Sequence, residues 1–523
     1  MADAKNKESA NNDANNKEFQ EMMDLEKARL SEVKEKKLSK TDRWLNYIGF
    51  PLGVIVFMAI YFMPNPDGLQ ISGQIVLACF GLALTWWLTE PMPTHVTSLT
   101  LICLLILLGG WDEENVLGVL GLEVIWLNIG AFILCSVLVV TGIAKRVAIM
   151  LIIKFGKTAM MAVFAFVLVQ LVLAPLIPAT AARTVMTLPL MLLVAAIFGA
   201  SSQNPNNFGR FLLLNNLHGI SIFSSAFITG STCNIIAVGL IYVMSGERIF
   251  YTDWMFGALP VAIVLMIVSW YIGGKIIFRM KASESVPQIS GGEEALKGEL
   301  KKMGPMTFME KKAGVVFLAV IILWVTDRWH MPVLGFEISL IVTALIGAVI
   351  ALWPKAGIIN WNKADIPWHL LIFSAGAYAG GLALNATDAA RWLVSIGFDQ
   401  LQLVERDPNF WIVYTIIVAM MTYAGYFFTS KTMRTLIFIP FVVITAQQLG
   451  YNPVWLALPG AFTLCWVIGL PFNAKPNLIL YATGQYSVLD NFWYGFAVKT
   501  IGILLLVIFG MTWFRVLGIT PPF

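Results

Sequence analysis

Two short blocks of this chain place basic side chains inside long apolar stretches at matching positions. Residues 178–184 read Pro-Ala-Thr-Ala-Ala-Arg-Thr, and residues 429–435 read Thr-Ser-Lys-Thr-Met-Arg-Thr. Arg183 and Arg434 occupy the same place in the two copies, and Lys431 precedes the second arginine by about one helical turn. A cation inside a membrane costs several kcal/mol, so it is rarely kept without a partner or a water-filled cavity. The repeat therefore predicts a site that binds an anion.

Composition places the chain in a lipid bilayer. Hydrophobic residues make up 58% of it and charged residues 13%, which is too apolar for a soluble globular protein. The formal net charge of +4 mostly reflects basic loops, so we expect no nucleic acid partner. The five cysteines lack the paired spacing of a disulfide framework or a metal site, and we expect no metal and no cofactor.

Apolar runs near the length that crosses a membrane recur from Trp44 onward. They predict an all-α polytopic membrane protein with about eleven transmembrane helices, near residues 44–63, 71–89, 94–109, 120–144, 211–245, 254–278, 313–326, 336–353, 366–384, 453–482 and 490–516. Two further apolar stretches, 159–200 and 409–449, are interrupted at the repeated blocks, and each predicts a re-entrant helical hairpin. Residues 18–40 predict an amphipathic surface helix.

A second matched pair of elements interrupts the spans that follow the two hairpins. Residues 230–234 read Gly-Ser-Thr-Cys-Asn, and residues 473–477 read Asn-Ala-Lys-Pro-Asn. A helix that breaks inside a membrane frees backbone amides, which favour an anion, and carbonyls, which favour a cation. The two hairpin tips and the two breaks therefore predict one binding site built from inverted repeats.

The distribution of lysine and arginine predicts the orientation in the membrane. Basic residues crowd the loops at 36–43, 145–157 and 281–312, which fall on one side if each hairpin returns to its own face. Loops rich in lysine and arginine are cytoplasmic. We therefore expect an inner or plasma membrane protein with a cytoplasmic N-terminus and, after eleven crossings, a C-terminus outside.

A hairpin followed by a broken helix, occurring twice, resembles the divalent anion:sodium symporter family of di- and tricarboxylate transporters, and the likeness covers most of the chain from about Trp44. In that family each tip carries a Ser-Asn-Thr motif that binds a substrate carboxylate and a sodium ion. The resemblance implies a homodimer that works by an elevator movement. It also implies that the substrate is bound at the tips and breaks, by Ala179, Thr180, Ala181, Arg183, Ser231, Thr232, Asn234, Ser430, Lys431, Thr432, Arg434, Lys475, Pro476 and Asn477.

The same resemblance divides the chain into static scaffold helices and a moving transport domain. The predicted segments are a cytoplasmic N-terminal segment 1–43, scaffold helices of the first repeat 44–158, the first hairpin and broken helix 159–280, a cytoplasmic loop 281–312, scaffold helices of the second repeat 313–405, and the second hairpin, broken helix and last span 406–523.

Both tip motifs depart from the family pattern. The first reads Ala179-Thr180-Ala181, and the second has Lys431 in place of Asn, so most side-chain ligands for sodium are missing. The interrupted segments carry Arg183, Lys431, Arg434 and Lys475 but no Asp or Glu, so an empty site would hold uncompensated positive charge. These departures favour a sodium-independent exchanger of C4–C6 di- and tricarboxylates, the class of succinate, malate, fumarate and 2-oxoglutarate.

Several alternatives stay open at this point. A sodium- or proton-coupled dicarboxylate symporter could still hold its ion with backbone carbonyls. An integral-membrane enzyme acting on an anionic lipid is a distant alternative, because the interrupted regions show no nucleophile, metal cluster or acid/base pair, and we predict no catalytic residue. A channel is disfavoured. Rings of fixed charge that line a pore would be expected to come from the symmetry of an oligomer, whereas the charges here stand in matched hairpins within one chain. Arg183 and Arg434 could also brace the hairpins instead of binding substrate.

Overall fold

The computed structural model describes residues 40–200, 205–281, 284, 292–389, 391–392, 408–428, 430–471 and 473–522. The predicted amphipathic helix over residues 18–40 and nearly all of the segment 1–43 therefore lie outside the described residues, as does Thr429 in the second repeated block.

The described residues form α-helices joined by turns, and they include no β-strand. In chain order the helices begin with α1 Lys40–Tyr61, α2 Ile71–Thr89, α3 Thr94–Leu107, α4 Glu113–Gly118, α5 Glu123–Thr141, α6 Ile143–Phe155, α7 Ala159–Leu173, α8 Thr180–Ile197, α9 Asn207–Ser225, α10 Thr232–Ser245 and α11 Tyr251–Ile272. They continue with α12 Gly292–Lys302, α13 Phe308–Val325, α14 Asp327–Leu334, α15 Leu340–Leu352, α16 Trp368–Ala386, α17 Phe410–Tyr423, α18 Lys431–Gln448, α19 Pro453–Ala461, α20 Lys475–Tyr481, α21 Val488–Met511 and α22 Trp513–Val516.

The hydropathy of these helices agrees with a membrane protein. Five of them, in the described part of the chain, are long and apolar enough to cross a bilayer, namely Ile71–Thr89, Glu113–Thr141, Thr180–Ile197, Tyr251–Ile277 and Val488–Met511. The predicted all-α class is confirmed. The number of crossings and the re-entrant character of the hairpins stay predictions.

Two of the predicted spans are broken near their middle, so that each consists of two helices. In the span 211–245, α9 ends at Ser225 and α10 begins at Thr232, with a 3-10 turn at Ile228–Gly230 between them. In the span 453–482, α19 ends at Ala461 and α20 begins at Lys475. The two apolar stretches that contain the repeated blocks are divided in the same way, into α7 and α8 and into α17 and α18.

One stretch that the sequence analysis treated as a basic loop is a helix. Most of residues 145–157 belongs to α6, which buries Ala144, Arg146, Ala148, Ile149 and Ile152. The Arg146 guanidinium is buried because Nε bonds Glu310 Oε1 on α13 at 2.8 Å and Nη1 donates to the Gly304 carbonyl at 2.8 Å. The positive charge at this position therefore marks a contact between helices.

The two halves of the chain pack reciprocally. The tip helix of the first half, α8, packs on α20 of the second half, and the tip helix α18 packs on α10 of the first half. Within each half the tip helix also contacts the broken helix, α8 against α9 and α18 against α19. This arrangement brings both tips and both breaks to the centre of the molecule.

The other helices also pair between the two halves, through small residues that allow close approach. Helix α3 packs on α16, where a Cβ at Gly376 would collide with Ser98, whose Oγ donates to the Phe373 carbonyl at 3.2 Å. Helix α5 packs on α15, where a Cβ at Gly130 would lie 2.9 Å from the Cβ of Ala344.

Candidate functional site

Four helices begin at the residues that the sequence analysis assigned to the site. Helix α8 begins at Thr180, α10 at Thr232, α18 at Lys431 and α20 at Lys475. The N-terminus of a helix presents unpaired backbone N–H groups and the positive end of the helix dipole, both of which attract anions. Pro178, Gly230 and Pro476 adjoin the first turns of α8, α10 and α20 and disfavour a continuous helix there. Ser430 caps α18, because its Oγ accepts from the Met433 N–H.

A lysine side chain joins three of the four starting points. The Lys431 ammonium, at the tip of the second hairpin, donates to Thr180 Oγ1 at 3.0 Å on the first tip. It also donates to Ser231 Oγ at 3.4 Å, at the first break. Thr180 occupies the position in the first copy that Lys431 occupies in the second. The second tip therefore contacts both the first tip and the first break, and the cation lies beside two hydroxyl oxygens of the first half.

The two breaks share one hydrogen-bonding pattern. Asn234 Nδ2 donates to the Ser224 carbonyl at 2.7 Å and to the Phe227 carbonyl at 2.8 Å. Asn477 Nδ2 donates to the Val467 carbonyl and to the Leu470 carbonyl, both at 2.8 Å. In each half the amide reaches back to two carbonyls of the chain that precedes it, and one of the two, Phe227 or Leu470, also accepts from a backbone N–H. Both asparagines are fully buried, so these bonds satisfy groups that water does not reach.

Each break is also tied to the turn that precedes its own hairpin tip. Thr229 Oγ1 donates to the Pro175 carbonyl at 2.9 Å, and Asn473 Nδ2 donates to the Gly425 carbonyl. Hairpin and broken helix are therefore held as one unit in each half.

Arg183 and Arg434 lie behind the tips and are fully buried. Arg183 Nη2 donates to the Ile220 carbonyl at 3.2 Å, to the Gly230 carbonyl at 3.4 Å and to Ser224 Oγ. Arg434 Nη2 donates to the Leu464 carbonyl. In this conformation both guanidinium groups bond the broken helix of their own half, which is the bracing arrangement that the sequence analysis left as the alternative to direct ligand contact.

Exposure separates the site into a reachable face and a buried support. The half-buried residues at the tips and at the first break are Ala179, Ala181, Thr232, Ser430, Lys431 and Thr432, and Lys475 is exposed. Thr180, Ser231 and Pro476 lie just beneath them and are buried with Arg183, Asn234, Arg434 and Asn477. A solute therefore reaches the tip residues, Thr232 and Lys475 before it reaches the buried residues.

The centre carries positive charge without a bonded acid. In the described part of the chain, no carboxylate lies within ion-pair distance of Arg183, Lys431 or Arg434. The described residues also contain no cluster of three or more His, Cys, Asp or Glu side chains that would hold a metal ion. The arrangement suits an anion because hydroxyls, helix N-termini and cations all offer donors to it.

Lys499, which lies near the middle of α21, is not among the predicted site residues. Its side chain is fully buried, and Nζ lies 3.6 Å from the centroid of the Tyr426 ring, directly before the second tip. The signal was present, because a lone lysine inside an apolar span is by default a functional candidate. Cys233 and Cys465, which no sequence pattern pairs, have their Sγ atoms 3.2 Å apart between the two breaks.

Known proteins with similar sequences are membrane proteins and transporters. A membrane protein of Cupriavidus necator is 25% identical over 490 residues, which cover 90% of this chain and 93% of that protein. The sodium-dependent dicarboxylate transporter SdcS of Staphylococcus saprophyticus is 26% identical over 489 residues, which cover 90% of this chain and 92% of the transporter.

A solved structure with a similar fold is that of MtrF from Neisseria gonorrhoeae, with a TM-score of 0.54 at 12% identity, covering 91% of this chain and 96% of MtrF. At that identity the likeness concerns the fold alone. The family model of the sodium:sulfate symporter transmembrane region matches residues 43–520. Because this match spans nearly the whole chain, the protein belongs to that family of transporters, as the resemblance of its repeated hairpins and broken helices predicted.

Proposed function

We propose that the protein is a secondary transporter of C4–C6 dicarboxylates and tricarboxylates, the class of succinate, malate, fumarate and 2-oxoglutarate. The observation that carries this proposal is the position of Lys431, whose ammonium bonds Thr180 on the opposite tip and Ser231 at the first break. The name of the SdcS relative supports the substrate class.

The substrate in this proposal binds on the reachable face between the two tips. One carboxylate lies against the N-terminus of α8 and the other against the N-terminus of α18, with Lys431 and the hydroxyls of Ser430 and Thr432 as donors. Thr232 and Lys475 line the breaks on the same face, and Pro476 lies among the buried residues that support it. Arg183 and Arg434 hold the tips from behind and add positive potential, and they turn to the substrate only if the hairpins open.

The proposed movement is an elevator motion of a homodimer in the inner or plasma membrane. The moving domain consists of residues 159–280 and 406–523, each with a re-entrant hairpin and a broken helix. The scaffold consists of residues 44–158 and 313–405, and the full chain makes eleven crossings with the N-terminus in the cytoplasm and the C-terminus outside. The bonds between each hairpin and its own broken helix support a moving domain that shifts as one body.

We propose exchange of one dicarboxylate for another as the mode of transport. The Lys431 ammonium lies between two hydroxyl oxygens, where a bound cation would otherwise gather ligands, and a tethered cation cannot dissociate between cycles. An empty site would then keep its positive charge, which opposes crossing the low-dielectric interior without an anion.

Sodium-coupled symport is the second candidate, and the names of the SdcS relatives favour it. In that mode, carbonyl oxygens at the breaks would bind the ion. The two modes differ in a single requirement, since symport needs a sodium gradient and exchange needs an internal counter-substrate.

Uptake of labelled succinate into proteoliposomes that contain unlabelled succinate tests the substrate class. Unlabelled malate, fumarate and 2-oxoglutarate should compete with the label, whereas acetate and lactate should compete poorly because they reach only one tip. Sulfate is the decisive competitor, given the name of the family. Inhibition by sulfate with no inhibition by any dicarboxylate would contradict the proposal.

A further inference from the structure

Behind the second hairpin tip, the cationic ends of Arg434 and Lys499 both lie close to Gly425, which has no side chain. A Cβ at Gly425 would collide with Arg434 Nη1 and would lie 3.3 Å from Lys499 Nζ. Both side chains are fully buried, and Lys499 lies near the middle of the last long helix, α21. Like charges that are buried side by side repel each other strongly, because little solvent screens them.

Most donors of this cluster have no acceptor. Arg434 uses Nη2 on the Leu464 carbonyl, but its Nε and Nη1 bond nothing among the described residues. Lys499 Nζ and the hydroxyl of Tyr426 also have no hydrogen-bond partner there, although the ammonium lies over the Tyr426 ring. One unpaired acceptor, Asn473 Oδ1, belongs to the same cluster, since the Asn473 amide bonds the Gly425 carbonyl. A single amide oxygen cannot accept from all of these groups.

Loss of the lysine proton would not resolve this arrangement. A neutral Lys499 removes the repulsion, yet the Nε–H and Nη1–H groups of Arg434 would still lack acceptors, and each buried unpaired donor is costly. An anion resolves both problems, because it accepts from every donor and compensates the charge.

We propose that Arg434, Lys499 and Tyr426 bind a halide ion, chloride in the cell, at a site separate from the dicarboxylate site. The ligand is monoatomic because the cationic ends are fully buried and lie against the bare Cα of Gly425, whereas the tip residues Lys431 and Thr432 are half-buried. The bound halide holds the second hairpin against α21. In the first half Arg183 Nε and Nη1 also lack acceptors, but Nη2 meets three oxygen acceptors and, among the contacts of the described residues, the guanidinium has no lysine beside it.

Thermal melting of the purified protein, followed by tryptophan fluorescence, tests the halide site. Choline gluconate is replaced stepwise by choline chloride or choline bromide at constant ionic strength and without sodium. The melting temperature should rise by about 3 °C in a saturable manner, because a ligand that binds only the folded state stabilises it. Lys499→Met should abolish the response, and Lys363→Met, at an exposed lysine, should keep it.

Two further measurements apply if Lys499→Met does not fold. Tyr426→Phe keeps the ring under the ammonium and removes one donor, so the halide concentration at half-response should rise roughly five-fold. Crystals soaked in bromide should show anomalous scattering beside Gly425.

Succinate distinguishes the halide site from the dicarboxylate site. Its stabilising effect should add to that of chloride in the wild-type protein and should persist in Lys499→Met. A melting temperature that ignores chloride and bromide would overturn the proposal, as would a halide response that survives Lys499→Met. A halide response that saturating succinate abolishes would mean that the two anions share one site, and it would overturn the proposal as well.

Discussion

Replacing Lys431 by Asn should make dicarboxylate transport depend on sodium. The ammonium of Lys431 donates to Thr180 Oγ1 at 3.0 Å and to Ser231 Oγ at 3.4 Å. The substitution removes the tethered charge and leaves both hydroxyl oxygens beside a new amide oxygen. Sodium takes oxygen ligands of this kind, so the vacated position should bind the ion.

The expected loss of affinity for succinate follows from the removal of the Lys431 charge. A hydrogen bond from a charged donor contributes about 1.5 to 3 kcal/mol, and about 1.4 kcal/mol corresponds to a tenfold change in affinity. Without sodium, the concentration of succinate at half-maximal exchange should therefore rise roughly ten-fold or more in Lys431→Asn. Sodium should restore most of this loss, and adding Ala179→Ser and Thr180→Asn should strengthen the sodium effect.

The assay is exchange of labelled succinate in proteoliposomes, with sodium or choline as the only external cation. Lys363→Asn, at an exposed lysine outside both hairpins and both breaks, is the matched control and should behave like the wild type in both salts. If the folded triple variant shows the same succinate dependence in sodium and in choline, Lys431 does not occupy a cation position and the reasoning is wrong.

Three other predictions concern stability. Arg183→Ala and Arg434→Ala should lower the melting temperature and leave the rank order of competing carboxylates unchanged, whereas a selective loss of dicarboxylates in competition assays would make these arginines ligands. Asn477→Ala leaves the buried Val467 carbonyl without its donor and removes one of two donors to the Leu470 carbonyl, so thermal melting should show a loss of about 1 to 3 kcal/mol, and an unchanged melting temperature would contradict this role. Glu310→Gln leaves the Arg146 charge buried without its partner and should cost about 3 to 5 kcal/mol, while replacing both residues by Met should recover part of the lost melting temperature.

The tips and breaks were predictable because local chemistry marks them. Proline and glycine disfavour a continuous helix, and Pro178, Gly230 and Pro476 adjoin the discontinuities, whereas Pro189 and Pro440 lie inside α8 and α18 and mark no break. Repetition of the pattern then indicated that the two copies form one site, and the bond from Lys431 to Thr180 joins them in the structure.

Contacts between distant segments were not predictable in the same way. Arg146 stands among other basic residues in the sequence, which is typical of a charged loop. Its partner Glu310 lies 164 residues further along the chain, so no local pattern indicates that the two residues pair. Lys499 stands in a span that otherwise has the features of a simple membrane anchor, and only the fold places it beside Gly425 and Arg434. The contact of Cys233 with Cys465 likewise depends on how the two halves pack.

The central claim, exchange without sodium, is tested most directly by the initial rate of labelled succinate uptake into proteoliposomes. The liposomes are either loaded with unlabelled succinate or empty, and each kind is assayed with sodium or with choline outside. Exchange predicts rapid uptake into loaded liposomes in both salts and little uptake into empty ones. Rapid uptake into empty liposomes that requires an inward sodium gradient would contradict the claim and establish symport.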